Sequence, residues 1–203
     1  MNKRQIRRLI ETIYQKGQYR EDGLKAIKRL AAMGEPALRE MVRSLANPPK
    51  NNQHPVDLWE TIQRVFCDFA RTMPDSIIDL MDDGALDPQH GHWALSAARG
   101  KRSIDILVAG LKHKDPQARY AAANALVQRR NKRAVPALLD ALKDRSDEVK
   151  STVLFAMRSN RMYRRPEAIP GLRRILANTK IRKSCPGMWQ AAADLLRRID
   201  TTA

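Results

Sequence analysis

Glycine is scarce in this chain of 203 residues, with nine in all. No glycine-rich run of the kind that cradles phosphates is present, so the texture excludes an α/β nucleotide-binding enzyme. Cysteine is rarer still: Cys67 and Cys185 are the only two. Two are too few for a disulfide scaffold, and a reducing, cytoplasmic setting is expected. No apolar stretch approaches the ~20 residues that a membrane helix needs, so no integral membrane association is expected. The N-terminus is basic (Lys3, Arg4, Arg7, Arg8), but only scattered apolar residues follow. That pattern lacks a secretory core, and Glu11 argues against an Arg-rich mitochondrial presequence. Aromatics number only ten, little material for stacking single-stranded bases. No alternation of period two appears, so no strand is expected.

Apolar residues make up 43% of the chain, enough to bury a core. Basic residues dominate the charge, with 38 Lys and Arg against 22 Asp and Glu and a net charge of +16. The excess is uneven. Residues 1–100 hold 15 basic and 13 acidic residues, whereas residues 101–203 hold 23 and 9. Residues 72–98 contain Asp75, Asp79, Asp82, Asp83 and Asp87 and no Lys or Arg. Such polarity bears on partners and steering rather than on fold.

The strongest signal is an internal repeat. Residues 103–111 (SIDILVAGL), 134–142 (AVPALLDAL) and 168–176 (AIPGLRRIL) align. Ile104, Leu107, Val108 and Leu111 recur as Val135, Leu138, Leu139 and Leu142, then as Ile169, Leu172 and Leu176. This spacing marks one face of a helix. A second helix follows in each copy. Its face is Ala118, Ala121, Ala122, Ala125 and Leu126, then Val149, Thr152, Val153, Ala156 and Met157, then Met188, Ala191, Ala192, Leu195 and Leu196. Asp115 is placed to cap the helix that Pro116 begins, and Ser146 takes the same place one copy on. Upstream copies are more divergent: residues 34–46 pair with 55–72, and residues 74–83 with 89–99. Leu58, Ile62, Val65, Phe66 and Phe69 form the buried face of 55–72. At the front, Ile6, Leu9, Ile10 and Ile13 mark one helix, and Leu24, Ile27 and Leu30 another.

The run DPQARYAAANAL, with AVPALLDALKD after it, resembles the short HEAT repeats of the phycobilisome-lyase type. The resemblance covers residues 103–199 most clearly. It implies an all-α, right-handed α-solenoid of about six antiparallel helix pairs. Residues 1–203 then form a single array: a capping pair at 1–33, divergent repeats at 34–102, and regular repeats with a C-terminal cap at 103–203. The family implies a non-catalytic binding scaffold. Some of its members attach bilins, and a related HEAT-like family repairs alkylated DNA, so a bilin lyase and an alkylpurine DNA glycosylase are the alternatives. The chain departs from the family where the second helix ends. Val127-Gln128-Arg129-Arg130-Asn131-Lys132-Arg133 puts arginines in the apolar and glycine slots.

Basic residues recur in the turns between copies: Arg99, Lys101 and Arg102; Arg129, Arg130, Lys132 and Arg133; Arg158, Arg161, Arg164 and Arg165. The third turn is longer by about three residues and holds Tyr163, a candidate stacking group. Equivalent turns of a solenoid line up on one edge, and guanidinium groups match phosphate oxygens. The expected partner is therefore anionic, either a nucleic acid backbone or an acidic protein. The opposite turns are basic too (Lys112, Lys114; Lys143, Arg145; Lys180, Arg182, Lys183). Tyr120, Asn124, Phe155, Gln190 and Asp194 hold equivalent positions on the second helices and are candidates to line the concave face. Asp115 and Arg119, one helical turn apart, are expected to tie adjacent loops.

No cofactor, metal site or catalytic residue is expected. Asp87, His90, His92 and Cys67 lack metal-ligand spacing, because residues two apart on a helix point to different faces. A glycosylase would draw on Trp59, Trp93 or Trp189 with Asp57, Glu60 or Asp194, and these match no local motif.

Overall fold

The computed structural model describes residues 3–49 and 55–200, with the side chains of 55–57 and 200 excepted. The described residues form thirteen α-helices and no strand. The chain divides into two compact units, residues 1–103 and 104–203.

The first unit holds α1 (Lys3–Lys16), α2 (Glu21–Ala32), α3 (Glu35–Ala46), α4 (Pro55–Thr72), α5 (Pro74–Asp82) and α6 (Pro88–Leu95). α1 to α5 are amphipathic at the helical period, and burying that face is what makes short helices stable in water. Ile6, Ile10 and Ile13 of α1 are buried with Ile27 and Leu30 of α2, and Val65, Phe66 and Phe69 of α4 are fully buried. Gly23 lets α2 approach the end of α1, because a Cβ there would stand 1.7 Å from the Gly17 carbonyl oxygen. The Gln18 backbone N–H donates to Thr61 Oγ1 at 3.1 Å and pins that turn to α4. Asp75 and Asp79 take Arg102 at 2.6 and 3.6 Å, while Asp87 caps α6 by accepting from the Gln89 N–H. Three carboxylates of the acidic belt are thereby engaged within their own unit.

α7 (Lys101–Gly110) spans the boundary. Beyond it come α8 (Pro116–Arg129), α9 (Val135–Asp140), α10 (Asp147–Ser159), α11 (Ile169–Ala177), α12 (Thr179–Ser184) and α13 (Pro186–Asp200). α8, α10 and α13 pack in a row; α11 packs on α13, and the 3₁₀ turn Ala141–Lys143 that continues α9 packs on α10 and α11. The small face of α8 (Ala118, Ala121, Ala122, Ala125) is entirely buried. It admits the neighbouring helix closely and places the apolar face of α10 (Val149, Val153, Met157) in the core. Two features depart from expectation. Residues 179–184 form a helix, so Lys180, Arg182 and Lys183 lie on α12 rather than in a turn. Ser146 holds the N-cap position of α10 but makes no side-chain cap bond.

Asp144 does the anchoring there. Its Oδ1 accepts the Ser146 N–H at 2.7 Å, as His113 Nδ1 accepts the Asp115 N–H at 3.1 Å one repeat earlier. Asp115 itself caps α8, accepting from the Gln117 and Ala118 N–H groups. Arg119 joins the two loops. Its Nε and Nη2 donate to the two oxygens of Asp144 at 2.8 and 3.0 Å. Its Nη1 donates to the carbonyls of His113 and Lys114 at 2.9 and 3.0 Å. The two side chains are only 13% and 9% exposed. Burial disfavours the Asp144 carboxylate, but the Arg119 bonds, the Ser146 N–H and the charges of Arg119 and Lys150 outweigh it and hold its pKa below the ordinary aspartate value.

Truncating one partner leaves a buried charge uncompensated, so Asp144→Ala is expected to cost about 3 kcal/mol in denaturant unfolding. Because Asp144's pKa is lowered in the folded state, its contribution is full above about pH 4 and is lost as the pH falls through the lowered value. The variant should therefore lose part of the acid sensitivity of the parent. Equal stability of the two at neutral pH would contradict the clamp.

Candidate binding edge

Successive second helices run in the same direction, because each is reached through a first helix running back. The C-terminal ends of α8 and α10 are therefore neighbours at one edge of the second unit. The turns after them follow one plan. After α8, Asn131 Oδ1 accepts the Arg133 N–H at 2.9 Å and opens a 3₁₀ turn at Lys132–Ala134. After α10, Asn160 Oδ1 accepts the Met162 N–H at 3.0 Å and opens one at Arg161–Tyr163. A further 3₁₀ turn, Pro166–Ala168, then buries Ala168 in the place that Ala134 holds one repeat before. These three 3₁₀ turns pack on α9.

Arg130 ends α8 in the left-handed region, with φ 49°, and is the one non-glycine residue of positive φ among those described. Its N–H bonds the carbonyls of Leu126 and Val127. Glycine usually holds this place at a helix end, and an arginine there costs about 1 kcal/mol.

The structure sorts the predicted residues into groups. Arg130, Lys132, Arg133, Arg158 and Arg161 are exposed, and none forms an ion pair among the described residues. Arg129 is half-buried, and burial pulls its guanidinium pKa below the usual value. Arg164 is half-buried and structural: Nε donates to the Met157 carbonyl and Nη2 to the Arg158 carbonyl, both at 2.7 Å. These are carbonyls that the end of α10 leaves open. Arg165 Nε likewise donates to the Met162 carbonyl at 3.1 Å. Arg99, Lys101 and Arg102 belong to the first unit. All three are exposed, and Arg102 is paired with Asp75 and Asp79.

Tyr163 corrects an expectation. It is 1% exposed and offers no ring face to a ligand. The extra residues of the third turn fold inward, and a lone aromatic among polar neighbours fills the space. Its hydroxyl is buried without a hydrogen-bond partner, and burial raises its pKa, with Arg130 opposing.

The inner face is chemically different from the edge. A groove of about 650 Å³ runs along α8 and α10, lined in part by Tyr120, Asn124, Val127, Phe155 and Met188. Phe155 is 67% exposed. Its charged side chains are Asp147 and Glu148, and no Lys or Arg lines it. Asn124 Nδ2 donates to the Tyr120 carbonyl and to Thr152. Gln190 donates to Asp194, which also takes Arg197 at 2.6 Å.

The remaining candidates have structural partners. Trp189 Nε1 donates to the Leu176 carbonyl at 3.0 Å, with Arg182 over its ring. Trp59 meets the edge of His90 at 4.7 Å. Trp93 is half-buried in the same unit as Trp59. Glu60 accepts from Tyr19 and Gln18, while the side chain of Asp57 lies outside the described residues. Burial raises the Cys67 thiol pKa and lowers that of His90, which Asp87 opposes. His92 is buried at 3% exposure. No group of three metal-ligating side chains occurs among the described residues, and no described helix is long and apolar enough to cross a membrane.

A family model of HEAT repeats matches residues 89–158 and 104–185. The part of the chain from 89 to 185 therefore carries HEAT repeats. No curated protein matches the chain. Among solved structures, one engineered protein is 17% identical over 99% of this chain and 98% of its own, with a TM-score of 0.44. A second engineered protein is 17% identical over 99% and 100%, with a TM-score of 0.42. A designed armadillo repeat protein in complex with the peptide (KR)4 is 16% identical over 94% and 99%, with a TM-score of 0.39.

Tyr163→Phe removes a buried, unbonded hydroxyl and is expected to raise stability by about 1 kcal/mol in urea unfolding. A loss of stability would mean that the hydroxyl has a partner.

Proposed function

We propose that the protein is a non-catalytic HEAT-repeat binding module whose second unit holds an anionic partner on the edge formed by Arg130, Lys132, Arg133, Arg158 and Arg161. One observation carries this reading. Some cations elsewhere meet carboxylates, such as Arg7 with Glu40, Arg39 with Glu35, Arg102 with Asp75 and Arg119 with Asp144. Others, such as Lys112, Lys114 and Arg173, are exposed and form no ion pair among the described residues, so what sets the edge apart is the concentration of such cations. On two neighbouring turns of one edge, five cations stand without one.

The helix dipole accounts for Arg158, in the last turn of α10. It gives no reason for Lys132, Arg133 and Arg161, which lie past the helix ends. Arg130 adds a second support, since a strained backbone is kept where glycine would relieve it. Glycosylase and bilin-lyase chemistry gains no support from the site: Glu60 and Asp194 are both hydrogen-bonded.

Arg164 and Arg165 are unsuitable for a test, because loss of Arg164 uncaps α10 and loss of Arg165 frees the Met162 carbonyl of the turn. The informative variant neutralises the five free cations. It is expected to elute early from heparin, whereas neutralising Lys112, Lys114, Arg145, Lys180 and Lys183 on the opposite side leaves elution close to the parent. Equal shifts would reduce the effect to net charge and overturn the edge. Arg130→Gly is expected to raise stability by about 1 kcal/mol and to weaken retention. Tighter retention with the glycine would remove Arg130 from the site.

A further inference from the structure

The chemistry of the edge narrows the class of anion. Four of its five free cations are arginines, whose forked donors match phosphate and carboxylate oxygens alike. The distinguishing features are what surrounds them and how rigidly they are held.

A protein partner of stable affinity needs apolar or aromatic anchors at the centre of the contact. The edge has none. The exposed large apolar side chains among the described residues are Tyr19, Trp59 and Phe155. Tyr19 and Trp59 belong to the first unit, and Phe155 stands on the inner groove. Single-stranded nucleic acid needs ring faces on which bases stack, and Tyr163, the aromatic of the edge, is buried. What remains is a charged surface with no exposed ring to stack on a base and no apolar anchor to grip a side chain.

The surface is also pre-set in shape. Asn131 and Asn160 each fix a turn through a side-chain cap. Arg164 staples the longer turn to the end of α10. Helices packed side by side stand about 8–10 Å apart, which spans roughly three steps of a duplex at ~3.4 Å each. Turns whose backbone is fixed at that separation carry their cations at a spacing that suits a stiff polyanion with regularly spaced charges.

Resting on the binding reading above, we infer that the anionic partner is a double-stranded nucleic acid, held through the phosphates of its backbone without regard to sequence. Phosphate contacts position a protein on the duplex and carry no base information. Each neutralised phosphate releases condensed counterions, so affinity falls with salt in proportion to the number of contacts.

The test is fluorescence anisotropy of the full chain with a 20-base-pair B-form DNA duplex, the matching single strand, and polyglutamate, each titrated from 50 to 200 mM salt. For the duplex, log K against log[salt] is expected to have a slope of about −4 to −5, a roughly 500-fold loss over that range. Scrambling the duplex sequence should leave the affinity within about twofold, as a backbone contact requires. Arg133→Gln and Arg161→Gln should each reduce the slope by about 1, with unchanged thermal unfolding to show that the fold persists. Polyglutamate or single strand binding as tightly as duplex would overturn the duplex inference while leaving the anionic edge in place. Failure of all three polyanions to bind would overturn the edge itself.

Discussion

The guanidinium of Arg119 sits between two repeats and satisfies both. One side holds the carbonyls of His113 and Lys114, and the other holds both oxygens of Asp144. A helix face of alanines packs well at more than one register, because small side chains interlock weakly. The clamp removes that freedom. By fixing the loop before α8 against the loop before α10, it sets how the two helices lie along each other. The positions of their far ends follow, and with them the spacing of the basic turns. The next repeat keeps a weaker form of the device. Lys150 takes the place of Arg119, buried at 7% exposure, and meets Asp147 at 2.6 Å within its own helix rather than across to the next loop.

The edge and the groove divide the second unit between two chemistries. Apolar and neutral polar side chains line the inner face, with carboxylates at Asp147 and Glu148. Cations gather at the turns. Three arginines of the basic turns have structural tasks or are half-buried: Arg164 and Arg165 bond open carbonyls, and Arg129 lies partly under cover. The surface left for a ligand is thus smaller than the net charge of the chain implies, and better defined.

Much of the fold could be read from periodicity. The apolar positions of the repeat, from Ile104 to Leu142 and from Ala118 to Met157, are nearly all buried. Asp115 caps α8 because an Asp before a Pro-led helix has few other conformations to favour. The rest depended on contacts between distant residues. Asp144 lies 25 positions from Arg119, and no local pattern pairs them. The inserted turn misled for a related reason. A tyrosine flanked by Arg161, Arg164 and Arg165 has the composition of a solvated loop, yet only the tertiary void beneath it decides that the ring turns inward. The same composition hid the capping task of Arg164, since an arginine that bonds carbonyls and one that faces solvent look alike in sequence.

The central claim is that an anion is held at the turns and not in the groove. Arginine side-chain Nε–H resonances report this directly. On titration with duplex DNA, the Nε–H signals of Arg130, Arg133, Arg158 and Arg161 are expected to shift together and saturate at one concentration. Signals from Phe155 and the other groove residues should stay fixed. Shifts concentrated at Phe155, Tyr120 and Met188, with the edge arginines unmoved, would contradict the account.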